Sequence, residues 1–145
     1  MKLDDLPKGV QVFGDTSFRG QCPPEHAEQA AAVAWLRLTY PKTLGALVVH
    51  PRNEQLVIGG QYKAVRRQRA EGMTKGASDI IIPARLPFVC ELKRKDHTKS
   101  RWQSGQIEYL EAAARCGAFA CLALGADGVI DAVKAWLAPA RNSQK

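Results

Sequence analysis

Apolar and polar positions along the chain alternate in eight recognisable blocks. Over 25–39 the run EHAEQAAAVAWLRLT is rich in Ala and Leu; Pro23 and Pro24 lead into it and Pro41 stops it. That predicts a helix with Ala32, Trp35, Leu36 and Leu38 as its apolar positions. Residues 44–50 (LGALVVH) form a β-rich run that predicts a strand, and 51–60 (PRNEQLVIGG) read as a loop punctuated by glycine. Strong helix formers over 61–71 end at Gly72 and predict a second helix. Residues 79–82 and 88–93 are β-branched or aromatic runs separated by PARLP, the pattern of a strand, a tight turn and a return strand. Ile107, Leu110 and Ala114 recur at helical spacing before Gly117, so 100–116 reads as a helix. The apolar run 118–124 reads as a buried strand and 127–137 as a closing helix. Residues 1–23 lack periodicity and are expected to form an irregular arm, and 139–145 a polar tail, leaving 24–138 as the folded domain. The order helix, strand, helix, strand, strand, helix, strand, helix belongs to the α/β class: a central mixed sheet of about four strands with helices on both faces.

The turn between 79–82 and 88–93 carries a register. Centred on Arg85, it pairs residues whose numbers sum to 170, which sets Asp79 opposite Glu91. Directly opposed residues share a face of a sheet, and the two-residue period adds Lys93 to that face while sending Cys90 and Leu92 to the other. A slip of one residue would undo the arrangement.

Composition bounds what such a fold can be. At 145 residues, 46% apolar and 24% charged, the chain is expected to be one globular domain. No apolar run reaches the length of a membrane span, and the first residues lack a secretory pattern, so a cytoplasmic protein is expected. Cys22, Cys90, Cys116 and Cys121 show no CxxC spacing and read as reduced packing residues.

The net charge of +7 changes the picture through its position. Residues 61–101 hold eleven cations (Lys63, Arg66, Arg67, Arg69, Lys75, Arg85, Lys93, Arg94, Lys95, Lys99, Arg101) against four acids, while the other residues carry ten of each sign. A band of that kind is the footprint of a polyanion partner, since phosphates neutralised by Lys and Arg release counterions. A solvated basic surface is the plainer alternative.

Two carboxylates and a lysine on one hairpin face must be paired, solvated or bound to an ion. A surface ion pair is one solution. A hard-cation site is the other: Mg²⁺ takes oxygen ligands, is commonly held by one or two carboxylates, and binds where substrate phosphate completes its shell. Asp79 and Glu91 supply the carboxylates, and Lys93 is placed to meet a bound water or the charge developing on phosphate.

Asp79 followed, after eleven residues, by Glu91-Leu92-Lys93 resembles the PD-(D/E)xK nuclease motif, with Ser78 where the nominal proline stands. Residues 72–79 (GMTKGASD), then Glu91-Leu92-Lys93, then Gln106 and Gly117, together with Glu25, Gln29 and Trp35 upstream, resemble the VRR-NUC branch, small nucleases common in phage genomes. The resemblance spans roughly 25–137. It implies a restriction-endonuclease-like core and Mg²⁺-dependent hydrolysis of DNA phosphodiesters, with Mn²⁺ able to substitute. It further implies Asp79, Glu91 and the Leu92 carbonyl as metal ligands, Lys93 as the catalytic lysine, Gln106 facing the site, and Glu25 as the acid of the first helix turned toward the metal. Glu28, one turn on, competes for that last role. Stand-alone members are similar to homodimeric Holliday junction resolvases, which implies a homodimer acting on branched DNA. The alternatives are a restriction-type or single-strand nuclease, and a DNA-binding module on the same fold without turnover. Lys63, Arg66, Arg67, Arg69, Lys75, Arg94, Lys95, Lys99 and Arg101 are the expected DNA contacts. Trp102 is open to base stacking or packing, and His50 to orienting water or phosphate or to a structural role.

Overall fold

A computed structural model describes residues 1–51 and 62–139. Its centre is a four-stranded sheet formed by β1 (Gln11–Phe13), β2 (Ile80–Ile82), β3 (Phe88–Lys93) and β4 (Phe119–Leu124), in the order β1-β4-β3-β2. β4 pairs in parallel with β1 and β3, and β2 pairs antiparallel with β3, so the sheet is mixed. Among the described residues five α-helices accompany it: α1 (Glu25–Thr39), α2 (Leu44–Leu47), α3 (Tyr62–Ala70), α4 (Gln106–Arg115) and α5 (Gly125–Leu137).

The two-residue period of the strands sorts the core into layers. Cys90 and Leu92 of β3, with Cys121 and Ala123 of β4, pack against Ala32 and Leu36 of α1 and Val129, Ala132 and Val133 of α5. Val89 and Ala120 face the other way, onto Leu110 of α4. Every residue of β3 is buried, because it has a strand on either side and helices above and below. The sheet is therefore the α/β sandwich expected of the chain.

The membership of the sheet differs from expectation in two places. The fourth strand is β1, from the arm expected to be irregular: Gln11, Val12 and Phe13 pair with Cys121, Leu122 and Ala123. Three residues are too few to show a period, and the partner lies more than a hundred residues away. Residues 44–50 are not a strand. They form α2 and then a single bridge, Val49 to Ile81, beside β2. Gly45 explains the choice: a Cβ there would lie 2.6 Å from Arg37 Cα and 2.7 Å from Leu36 O, so its absence lets α2 nest against the end of α1.

Smaller corrections concern boundaries and exposure. Residues 100–105 precede α4, which begins at Gln106 behind Gly105 in the left-handed conformation. Leu38 is 83% exposed and does not belong to the core. Cys90 and Cys121 are buried, whereas Cys116 is exposed. The loop expected at 51–60 lies, beyond Pro51, outside the described residues, as do Gln61 and 140–145.

Candidate active site

The hairpin register is the one that brings two acids together. Ile80, Ile81 and Ile82 oppose Cys90, Val89 and Phe88, every pair summing to 170. Asp79, one residue before β2, thus stands across from Glu91. The ladder ends at Ile80, and there the Asp79 carboxylate replaces a strand carbonyl: Oδ2 accepts the Leu92 N–H at 2.9 Å. The Asp79 charge is felt at the Glu91 carboxyl.

On the α4 side of β3, Lys93 donates to Gln106 Oε1 at 2.9 Å and lies 3.1 Å from Glu91 Oε1. Gln106 Oε1 also accepts the Gln103 N–H at 2.8 Å. With its oxygen occupied by two donors, the amide turns its Nε2 to donate to Glu91 Oε1. Trp102 closes the inner end, with the Lys93 ammonium 5.7 Å from its ring centre. Glu91 is 0% and Lys93 1% exposed. Gln106 and Lys93 together use up Oε1 of Glu91, while its Oε2 is buried with no hydrogen-bond partner among the described residues.

Electrostatics mark the pair as a place lacking positive charge. Burial pushes the Glu91 carboxyl up to about 8, with the Asp79 charge adding to the rise and Lys93 opposing it. Burial raises Asp79 as well, against the Leu92 N–H and the charges of Lys93 and His50, which lower it; Glu25 adds a small upward push. An unpartnered buried carboxylate oxygen beside a second carboxylate, both raised, fits a cation bound by oxygen. The side-chain ligands available to such a site are this pair: no group of three or more His, Cys, Asp and Glu side chains is gathered for metal binding among the described residues.

Glu25 and Glu28 separate clearly. Glu28 Oε2 accepts the Ala126 N–H at 2.6 Å and caps the first turn of α5. Glu25 Oε1 accepts from Ser100 Oγ at 2.8 Å, close enough to Asp79 for its charge to be felt but engaged with another partner.

The expected DNA contacts divide into two sets. Lys63, Arg66, Arg69, Lys75 and Arg101 are exposed, and Arg67 is exposed and paired with Glu71 at 2.8 Å. Arg94, Lys95 and Lys99 instead hold the N-terminal segment: Arg94 Nη2 donates to Cys22 O at 2.9 Å and Lys99 Nζ to Gly20 O at 2.6 Å. Lys95 lies 5.1 Å from the centre of the Phe18 ring and 3.8 Å from Asp127 Oδ2. Asp96 completes this clasp by accepting the Gly20 N–H at 2.9 Å and capping the 3-10 turn His97–Lys99.

Two glycines, Gly76 within 72–79 and Gly105 ahead of α4, position the site. A Cβ on Gly76 would lie 2.1 Å from the Gly105 carbonyl carbon, and one on Gly105 would lie 2.8 Å from Lys75 O. The loop entering Asp79 and the turn that starts α4 therefore cross backbone to backbone, which fixes Gln106 over Glu91. The sequence pattern places Gly105 inside a helix over 100–116, so it gives no sign that the two loops touch. Ser100, the partner of Glu25, carries no sequence signal at all.

A solved structure described as a VRR_NUC domain protein matches this arrangement with a TM-score of 0.63, covering 83% of this chain and 91% of its own. The chain has a VRR_NUC-like fold. The two sequences are 22% identical, so the likeness is one of architecture. A scan against protein-family models finds no match, and a search of curated proteins finds none. Within the VRR_NUC-like fold, the acids and the lysine lie where β2 and β3 meet the start of α4. No helix among the described residues is long and apolar enough to cross a membrane.

Proposed function

We propose that this protein is a divalent-metal-dependent nuclease that hydrolyses DNA phosphodiesters, acting on branched DNA such as Holliday junctions as a homodimer. The observation that carries the reading is Glu91 Oε2, a buried carboxylate oxygen without a partner among the described residues, beside the Asp79 carboxylate. The VRR_NUC-like fold and the cation-rich surface support it. Branched DNA and the dimer rest on the resemblance alone.

Asp79, Glu91 Oε2 and the Leu92 carbonyl would hold Mg²⁺, for which Mn²⁺ can stand in, with Glu25 as an outlying acid. When bound, the ion supplies Lewis acidity toward the scissile phosphate and a water of lowered pKa. Glu91 Oε1 is reserved for Lys93 and Gln106, which keep the carboxylate from rotating. Lys93 supplies fixed positive charge to offset the negative charge that builds on the phosphoryl oxygens. Gln106 orients both groups through one amide.

The test is cleavage of four-way junctions, flaps, single strands and linear duplex with Mg²⁺, Mn²⁺ or EDTA. D79A and E91A should abolish metal-dependent cleavage yet retain DNA binding, because removing negative charge does not weaken a grip on phosphate. Binding without turnover in the wild type would leave a DNA-binding module, and unaltered cleavage by either variant would reject the site.

A further inference from the structure

The Asp79 carbonyl stands where a strand ladder breaks off. Val49 N–H donates to Ile81 O at 2.8 Å and Ile81 N–H to Val49 O at 2.9 Å, the double exchange of a hydrogen-bonded antiparallel pair. Two residues further, the same ladder would set residue 51 opposite residue 79, with the N–H of residue 51 reaching the Asp79 carbonyl. Residue 51 is proline and has no N–H. Side chains make the bond instead: His50 Nδ1 lies 2.8 Å from Asp79 O, and Gln29 Nε2 donates to it at 3.4 Å. A carbonyl only accepts, so the proton sits on His50 Nδ1.

We propose that His50 is a positioning residue for Asp79, its Nδ1–H replacing the ladder bond that Pro51 cannot donate. The proposal rests on the reading of Asp79 and Glu91 as holders of a divalent cation. Asp79 lies outside β2, where no ladder pair fixes its peptide, yet its carboxylate must meet the Leu92 N–H and Glu91 together. Play at that peptide passes directly to the carboxylate. A donor from the neighbouring segment removes it, as outer-sphere hydrogen bonds orient metal ligands elsewhere.

The full chain is titrated with Mn²⁺ by calorimetry as wild type, D79A, H50A, H50N, P51A and the H50A/P51A double variant. In the metal-free proteins, exchange of the Leu92 amide is followed by NMR. H50A should bind Mn²⁺ about tenfold more weakly, the lower end of the effect of losing an outer-sphere partner, and should exchange Leu92 faster. H50N, whose amide nitrogen can take the place of Nδ1, should restore most of both. H50A/P51A should restore them too, because residue 51 regains an N–H, while P51A alone should match wild type. Leu92 exchange in H50A as slow as in wild type, or no recovery in either rescue variant, overturns the proposal. Equal Mn²⁺ binding by D79A and wild type sinks the cation reading instead, and Leu92 exchange then still decides the role of His50.

Discussion

Glu91 sits under opposed influences: burial and the Asp79 charge raise its carboxyl to about 8, and Lys93 only partly compensates. In the unfolded chain a glutamate ionises near 4.3. Between those values the folded state keeps a proton that the unfolded state has released, so the Glu91 contribution to stability is whole below the lower value. It falls as pH rises through the interval and is flat above it. E91Q keeps the shape and the acceptor for Lys93 but cannot ionise. Without divalent cations it should therefore melt higher than the wild type, by a margin that grows from pH 5 to pH 8 to several degrees, about 1 kcal/mol being worth a few degrees in a chain of this size. Mg²⁺ at pH 8 should raise the melting temperature of the wild type and leave E91Q unmoved. Parallel melting curves for the two proteins across that pH interval would show that the carboxyl is not perturbed. A residue retained at the expense of stability is what a functional site would have, whereas the Glu28 carboxylate caps α5.

The hairpin β2–β3 and the helix α1 were legible because their signals are local. A run of helix formers between prolines defines Glu25–Thr39, and a proline-flanked turn centred on Arg85 sets the register that puts Asp79 against Glu91. α2 and β1 were not, because what decides them is remote: the contact of Gly45 with α1, and pairing with β4 across the chain. The crossing of Gly76 and Gly105 is equally remote and equally decisive for Gln106. Gly76 has φ +77° and no room for a Cβ, whereas Gly117, at the end of α4 with φ +84°, would place a Cβ in open space. Backbone strain is thus common to G76A and G117A, and only G76A adds a clash. G117A should lose about 1 kcal/mol in urea denaturation, and G76A about 2 to 4 kcal/mol, the sum of that strain and an overpacked contact. G76A should also lose Mn²⁺ affinity, since the clash is relieved by moving the start of α4 away from Glu91. Equal losses of stability would mean that the two loops part without cost and do not fix the site.

The surplus of positive charge was visible in the sequence as one band, but folding divides it by task, because burial and backbone carbonyls compete with an external partner for the same guanidinium and ammonium groups. Arg94, Lys95 and Lys99 reach Cys22, Phe18 and Gly20, where they clasp the segment that follows β1. α3 has no buried residue and holds Lys63, Arg66 and Arg69 at the surface, with Arg67 tied to Glu71. If α3 grips a duplex by its phosphates, every phosphate it no longer neutralises should lower the slope of log binding constant against log salt by about 0.9. Replacing Lys63, Arg66 and Arg69 by Gln should then flatten the slope by up to about 2.7, with the melting temperature unchanged because these side chains are exposed. R94Q should behave in the opposite way. It removes a half-buried hydrogen bond to Cys22 O, so it should lower the melting temperature, and it should flatten the slope by less than the share of a single phosphate. The two variants are best measured on one duplex over one salt series, so that stability and salt dependence are read from the same proteins. A steep slope that survives the α3 triple substitution but collapses in R94Q would move the DNA path from α3 to the clasp, and with it the side of the sheet from which substrate reaches Asp79 and Glu91.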